Sequence, residues 1–192
     1  MNQIGVQKLA ELAAVLACQT KQVTLPDGAT LMIRPILKED APRLQALFSR
    51  LSPESVYARF LVTRKELPDA EARCLTEIDY QTRMTLLATV PGADGEDVVA
   101  IACYILLEEP GVAEAAFIIE DAYQERRLGT LMMKQLAAYA QQQGIHTFQF
   151  TLHYYNVRMQ RLIRHCGSVL TTTRCGGMLE IRALLTEGES GM

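Results

Sequence analysis

Residues 112–143 constrain this chain most. Val112 to Ile119 reads as an apolar strand, Glu120 to Arg126 is a short polar segment, and Arg127 to Gln143 repeats apolar residues at helical spacing up to Gly144. A strand that passes through a compact turn into a long helix leaves the first amides of that helix without intrahelical acceptors. The helix dipole adds partial positive charge at the same place. Such a junction is built to hold an anion, phosphate above all. The turn carries Gln124-x-x-Arg127-x-Gly129. Its amides, from Gln124 through Glu125, Arg126, Arg127 and Leu128 to Gly129 and Thr130, are the candidate cradle. Arg127 is expected to keep φ negative in the first turn, and its guanidinium can reach a phosphate.

The flanking segments read as a mixed α/β domain. Asp27-Gly28 predicts a two-residue hairpin turn between the arms Gln22–Leu25 and Ala29–Pro35. Lys38–Leu51 is helical, Ser52 caps a second helix, and Leu67-Pro68-Asp69 opens a third. Strands follow at Arg83–Val90, Val98–Leu107 and Val112–Ile119. Beyond the long helix come a strand at His146–Leu152, a helix at Asn156–Cys166, and a pair of strands at Val169–Thr173 and Met178–Leu185. Residues 3–18 form an amphipathic helix, expected to pack on the domain, with a dimer contact as the alternative. The expected organisation is this helix in residues 1–20, one domain in 21–186 and a frayed tail in 187–192.

With 49% hydrophobic residues in 192, the chain can bury a sizeable core. A net charge of -3 with intermixed signs gives no electrostatic case for nucleic acid. The five cysteines, Cys18, Cys74, Cys103, Cys166 and Cys175, have no C-x-x-C spacing, so zinc ligation is not expected and no metal is called for. They read as reduced, mostly buried thiols of a cytoplasmic protein. No run is long enough to span a bilayer, and the N-terminus is a poor signal peptide.

Three further segments narrow the reading. Ile33-Arg34-Pro35-Ile36-x-x-Glu39-Asp40, Leu51-Ser52-Pro53-Glu54-Ser55-x-Tyr57-x-Arg59-Phe60 and Ile78-Asp79-Tyr80 join the Gln124–Gly129 loop and Asn156, eleven residues before Gly167. Together, over roughly Thr30 to Leu185, the chain resembles the GNAT acetyltransferases, and within them the acetyltransferase domain of bacterial protein lysine acetyltransferases. The loop departs from the family's Q/R-x-x-G-x-G/A pattern at one position, where Arg127 replaces Gly. The resemblance implies a GNAT fold with an extra N-terminal helix, acetyl-CoA as co-substrate and a primary amine as acceptor. It also implies that Phe117, Ile118 and Ile119 pair through their backbone with the pantetheine, and that Asn156 is a cofactor-contacting helix N-cap.

The resemblance further makes Glu114, in the setting Ala113-Glu114-Ala115-Ala116, the catalytic base. Its apolar flanks are expected to raise its pKa towards that task. Many GNAT enzymes carry a general-acid Tyr seven residues after the Asn. Ile163 stands there, and Tyr154 and Tyr155 precede Asn156 instead. The expected function is transfer of an acetyl group to an amine, a protein lysine foremost, by direct attack in a ternary complex. Acetylation of a small amine, or a non-catalytic acetyl-CoA-binding regulatory module, are the alternatives.

Overall fold

The computed structural model describes residues 13–93 and 95–186. Its strands are β1 (Lys21–Thr24), β2 (Thr30–Pro35), β3 (Arg83–Gly92), β4 (Gly95–Leu106), β5 (Val112–Ile119), β6 (Thr147–His153), β7 (Gly167–Cys175) and β8 (Met178–Leu185). They form one eight-stranded sheet in the order β1-β2-β3-β4-β5-β6-β8-β7. All pairings are antiparallel except β5 with β6. That parallel step requires a crossover, which the long helix supplies.

Helices α1 (Ala41–Arg50), α2 (Pro53–Phe60), α3 (Asp69–Thr76), α4 (Leu128–Gln142) and α5 (Val157–Cys166) flank the sheet. Helices α1 to α3 cover one face of the first half of the sheet, over a cluster that includes Leu44, Leu47, Phe48, Val56, Leu87 and Ile118. Helix α4 covers the other face. Its buried Leu128, Met132, Leu136 and Ala140 recur every four residues and pack on Leu86, Ala113, Ala115 and Phe148. Ile163 of α5, which stands where many relatives carry a general-acid Tyr, belongs to this core. Gly144, at φ +78, ends α4 as its sequence indicates.

Local signals account for most boundaries. The Ser52 hydroxyl accepts from the Ser55 amide at 3.2 Å, with Pro53 at the first helical position of α2. The hairpin differs from expectation. Leu25 donates its amide to the Ala29 carbonyl, and Pro26, Asp27 and Gly28 form a three-residue loop. Pro26 favours the first corner of a turn, and Gly28 at φ +88 supplies the left-handed residue that a three-residue loop needs.

Residues 13–19 are helical. Val15 packs on the main core, and Gln135 of α4 donates to the Gln19 carbonyl, so this part lies against its own domain. The start of the expected N-terminal helix and the tail from 187 lie outside the described residues.

A cluster of charges ties β2 to α1 and β4. The Asp40 carboxylate, fully buried, accepts from Arg34 at 2.7 and 2.8 Å, from Arg43 at 3.0 Å and from the Leu37 amide at 2.8 Å. Arg34 also reaches Glu96 at 2.9 Å. Burial alone would raise the Asp40 pKa. The Arg34 and Leu37 hydrogen bonds outweigh it and hold the carboxyl below its usual range.

The cysteines are less buried than expected. Cys18, Cys74 and Cys175 are exposed, and Cys103 and Cys166 are half-buried.

Candidate active site

The site begins where two parallel strands separate. β5 pairs with β4 along its whole length, from Ala113↔Leu106 to Ile119↔Ala100. Its pairing with β6 stops after three rungs, Val112↔Thr147, Ala113↔Phe148 and Glu114↔Gln149. From Ala115 to Ile119 the edge of β5 that faces β6 is open. Backbone groups alternate along a strand, and the Glu120 amide donates to the Val99 carbonyl of β4. Phe117 and Ile119 therefore present their backbone groups to the open side, while Ile118 turns its own to β4, against the expectation that it pairs with the pantetheine. A buried unpaired edge is costly unless something pairs with it. A cleft of about 370 Å³ fills the gap. Its walls are Ala58 to Leu61 at the end of α2, Cys103 and Ile105 of β4, Glu114 to Phe117 of β5, Phe150 to Leu152 of β6, and Asn156 and Met159 at the start of α5.

The cradle lies where β5 ends. One 3-10 turn, Asp121–Tyr123, leads into the loop before α4. Among the described residues, none accepts a hydrogen bond from the amides of residues 125 to 130. Glu125 and Arg127 both take left-handed backbone conformations, at φ +60 and φ +66. Left-handed residues among ordinary ones are the backbone pattern of an anion nest. The expectation that Arg127 keeps φ negative is therefore wrong. Its backbone holds the conformation that a Gly would adopt freely, at a cost of about 1–2 kcal/mol for a residue with a Cβ. Its side chain is exposed.

Gly129 answers to a different need. A Cβ there would lie 3.2 Å from Ile119 Cδ1 and 3.3 Å from Leu162 Cδ2. The missing side chain lets α4 approach both β5 and α5. Leu128 is fully buried and faces the core, so its contribution to the cradle is its amide.

The polar side chains of the loop hold the protein together. The Gln124 amide donates to the Ser55 hydroxyl and to the Ile119 carbonyl, each at 2.9 Å, and its carbonyl accepts from Arg158 at 2.6 Å. It thus links α2, β5 and α5. Arg126 pairs with Asp27 of the hairpin and lies over the Tyr123 ring. Asp121 accepts from the Ser52 amide at 2.9 Å, the Ser52 hydroxyl at 2.7 Å and the Ser55 hydroxyl at 2.8 Å. Partial burial pushes its pKa up, but these donors outweigh it and the carboxyl stays below its usual range. Glu120 pairs with Arg50 at 3.1 Å. Neither acid is free to serve as base.

Glu114 stands at the vertex of the splay, on the rim of the cleft. Its apolar flanks do not surround it. Side chains alternate along a strand, so Ala113 and Ala115 are buried on the opposite face while Glu114 is exposed. Among the described residues its carboxylate has no hydrogen-bonding or ion-pair partner. Beside it, Gln149 is held by Arg182 at 2.9 Å and Glu180 at 3.3 Å, and Arg182 pairs with Glu109 at 2.8 Å. Asn156 caps α5, its side-chain oxygen accepting from the Met159 amide at 3.1 Å, and also lines the cleft. Tyr155 is 71% exposed and stacks near Tyr154 and His153, so the two tyrosines are neither core nor at the carboxylate.

The family model for the acetyltransferase (GNAT) domain matches residues 30–169. The chain belongs to the GNAT acetyltransferase family. A GNAT relative of this kind, an acetyltransferase of Pseudomonas aeruginosa, is 38% identical over 122 residues, covering 63% of this chain and 65% of that protein. The acetyltransferase Pat of Mycolicibacterium smegmatis is 29% identical over 168 residues, covering 87% of this chain and 48% of that one. The chain thus spans less than two thirds of the length of these curated relatives. The crystal structure of the GNAT domain of S. lividans PAT superposes with a TM-score of 0.79 at 28% identity, over 88% of this chain and 98% of that one.

Sequence reasoning missed the residues that arrive from distant elements. Arg59 and Cys103, which meet at 3.9 Å in the cleft wall, are 44 positions apart. The Gln124–Ser55 bond spans 69. Only the Leu51–Phe60 motif hinted that α2 belongs to the site.

Proposed function

We propose that this protein transfers the acetyl group of acetyl-CoA to the side-chain amine of a protein lysine. The amides of residues 125 to 130 hold the pyrophosphate, and the open edge from Phe117 to Ile119 pairs with the pantetheine arm. This lays the thioester in the cleft beside Glu114. Glu114 takes a proton from the incoming ammonium. The amine nitrogen then attacks the thioester carbonyl carbon, a C–N bond forms, the C–S bond breaks and CoA leaves as a thiolate, while the nitrogen gives up its second proton to solvent and the thiolate takes one from solvent. An amide on the open edge stabilises the carbonyl oxygen as it gains charge.

The observation that carries the lysine acceptor is the exposure of Glu114 on an open face. A small amine calls for an enclosed acidic pocket. Here the carboxylate sits at the rim of a cleft, next to a sheet face on which Ile105, Thr151, Glu180 and Leu184 are exposed. A lysine on a protein surface can reach that rim and a folded partner can lie beside it. The similarity to a protein named Pat and to the GNAT domain of PAT supports the same reading.

The test is mass spectrometry of acetyl transfer from acetyl-CoA to lysine-containing peptides, to folded proteins and to a panel of small amines. The account expects label on lysine side chains. Transfer to small amines alone would support the other acceptor class. Binding of acetyl-CoA without transfer to any acceptor would make the protein a binding module.

A further inference from the structure

Behind the cleft wall is a second, smaller cavity. It measures about 30 Å³ and lies between β4, β5 and the helices α1 to α3. Arg59, Phe60 and Cys103 line both it and the cleft, so these side chains form the boundary that the two spaces share. Thr85 and Arg59 are its polar side chains, and the rest of its lining, Leu47, Phe48, Ile101 and Ile118 among it, is apolar. Among the described residues no buried side-chain nitrogen or oxygen lacks a partner. A water needs two to four polar partners, so a void with so few polar groups suits hydrocarbon better.

Its position matters more than its size. Cys103 lies opposite Ala116 in the β4–β5 ladder, one residue before Phe117 on the open edge. Its thiol donates to the Ala116 carbonyl at 3.6 Å, and Arg59 reaches the same sulfur at 3.9 Å. Cys103 therefore stands between the void and the part of β5 where the thioester lies in the function proposed above.

We propose that the apolar cavity behind Cys103 receives the end of the acyl chain of the thioester substrate, and that Cys103 with Ile101 sets the longest chain accepted. This rests on the acetyl-transfer reading and adds the acyl specificity to it. A void of this size holds roughly one or two further carbon atoms. Acetyl and propionyl groups fit; longer straight chains meet Leu47 and Phe48.

The experiment compares kcat/KM for acetyl-, propionyl- and butyryl-CoA with one lysine peptide, and binding of the same three thioesters by calorimetry. Wild type uses propionyl-CoA within about ten-fold of acetyl-CoA, and butyryl-CoA falls off by about ten-fold or more. Cys103→Ala widens the opening and raises the butyryl-to-acetyl ratio by about ten-fold. Ile101→Phe fills the void and lowers the propionyl-to-acetyl ratio by a similar factor. Should Ile101→Phe fail to fold, Cys103→Met narrows the opening and reads the same ratio. Ratios that stay at the wild-type value in both the enlarging and the filling variant overturn the pocket while leaving acetyl transfer intact. If no thioester turns over yet all three bind, the calorimetric series decides: affinity that depends on chain length and shifts in the variants supports the pocket, and affinity blind to chain length overturns it. Absence of binding by all three overturns both readings.

Discussion

Glu114 and Gln149 form the last rung of the parallel ladder between β5 and β6. Beyond them the two strands part, and the cleft opens from that rung towards the cradle. One position thus ends the pairing and presents the carboxylate at the place where the separation starts. Gln149 is fixed by Arg182 and Glu180, so β6 is held firmly on the far side of the opening. Among the described residues the carboxylate itself has no side-chain partner, which leaves it free to meet an acceptor.

Arg127→Gly should stabilise the protein. The substitution removes a left-handed strain of about 1–2 kcal/mol and adds back about 0.5–1 kcal/mol of unfolded-state freedom. A net gain near 0.5–1 kcal/mol is expected in urea unfolding. Arg127→Ala keeps the strain and should show no gain. Equal effects of Gly and Ala would contradict a conformational cost at this residue.

Gly129→Ala should do the opposite. Its new Cβ meets Ile119 and Leu162 at 3.2 and 3.3 Å, and overpacking of this kind costs about 1–3 kcal/mol. A melting temperature equal to that of wild type would show that α4 has room to shift.

The Asp40 cluster sets an acid limit on stability. Its folded pKa lies below the unfolded carboxylate value of about 3.9. Its contribution is therefore complete above about pH 4 and is lost as pH falls through the lower folded value. Denaturation midpoints measured from pH 7 to pH 3 should fall less steeply at the acid end in Asp40→Asn than in wild type. Asp40→Ala takes from Arg34 and Arg43 their shared buried partner, leaving Arg34 only Glu96, and should cost about 1–3 kcal/mol at neutral pH.

Asp121→Ala removes three acceptor contacts that dock α2 on the cradle turn. Because α2 forms one wall of the cleft, KM for acetyl-CoA should rise along with a stability loss of about 1–3 kcal/mol. A stability loss with KM untouched would mean that the cradle keeps its shape without α2.

Much of the fold could be read locally. The bounds of β5 follow from its own residues, Ser52 caps α2 with its own hydroxyl, and Gly144 ends α4. The hairpin loop is one residue longer than Asp27-Gly28 indicates, because that dipeptide does not count Pro26. The turn between β5 and α4 is legible along the chain, but the left-handed backbone of Arg127 is not. Local sterics favour negative φ, and the tertiary path into α4 overrides them. Side-chain roles were the least legible. Gln124, Arg126 and Asp121 read as a charged turn, but their partners come from α2, α5 and the hairpin, far away in sequence. The desolvation expected for Glu114 failed for a simpler reason: neighbours along a strand lie on the other face.

The central claim is that Glu114 is the proton acceptor for an amine that attacks the thioester. The direct measurement is the pH–rate profile of Glu114→Gln beside wild type, with a lysine peptide and acetyl-CoA, and calorimetric binding of acetyl-CoA to both. The account predicts a rate lower by on the order of 10²–10⁴ near neutral pH, partial recovery at high pH where free amine is more abundant, and unchanged acetyl-CoA affinity. Turnover of Glu114→Gln at the wild-type rate from about pH 6 to 9 would contradict it.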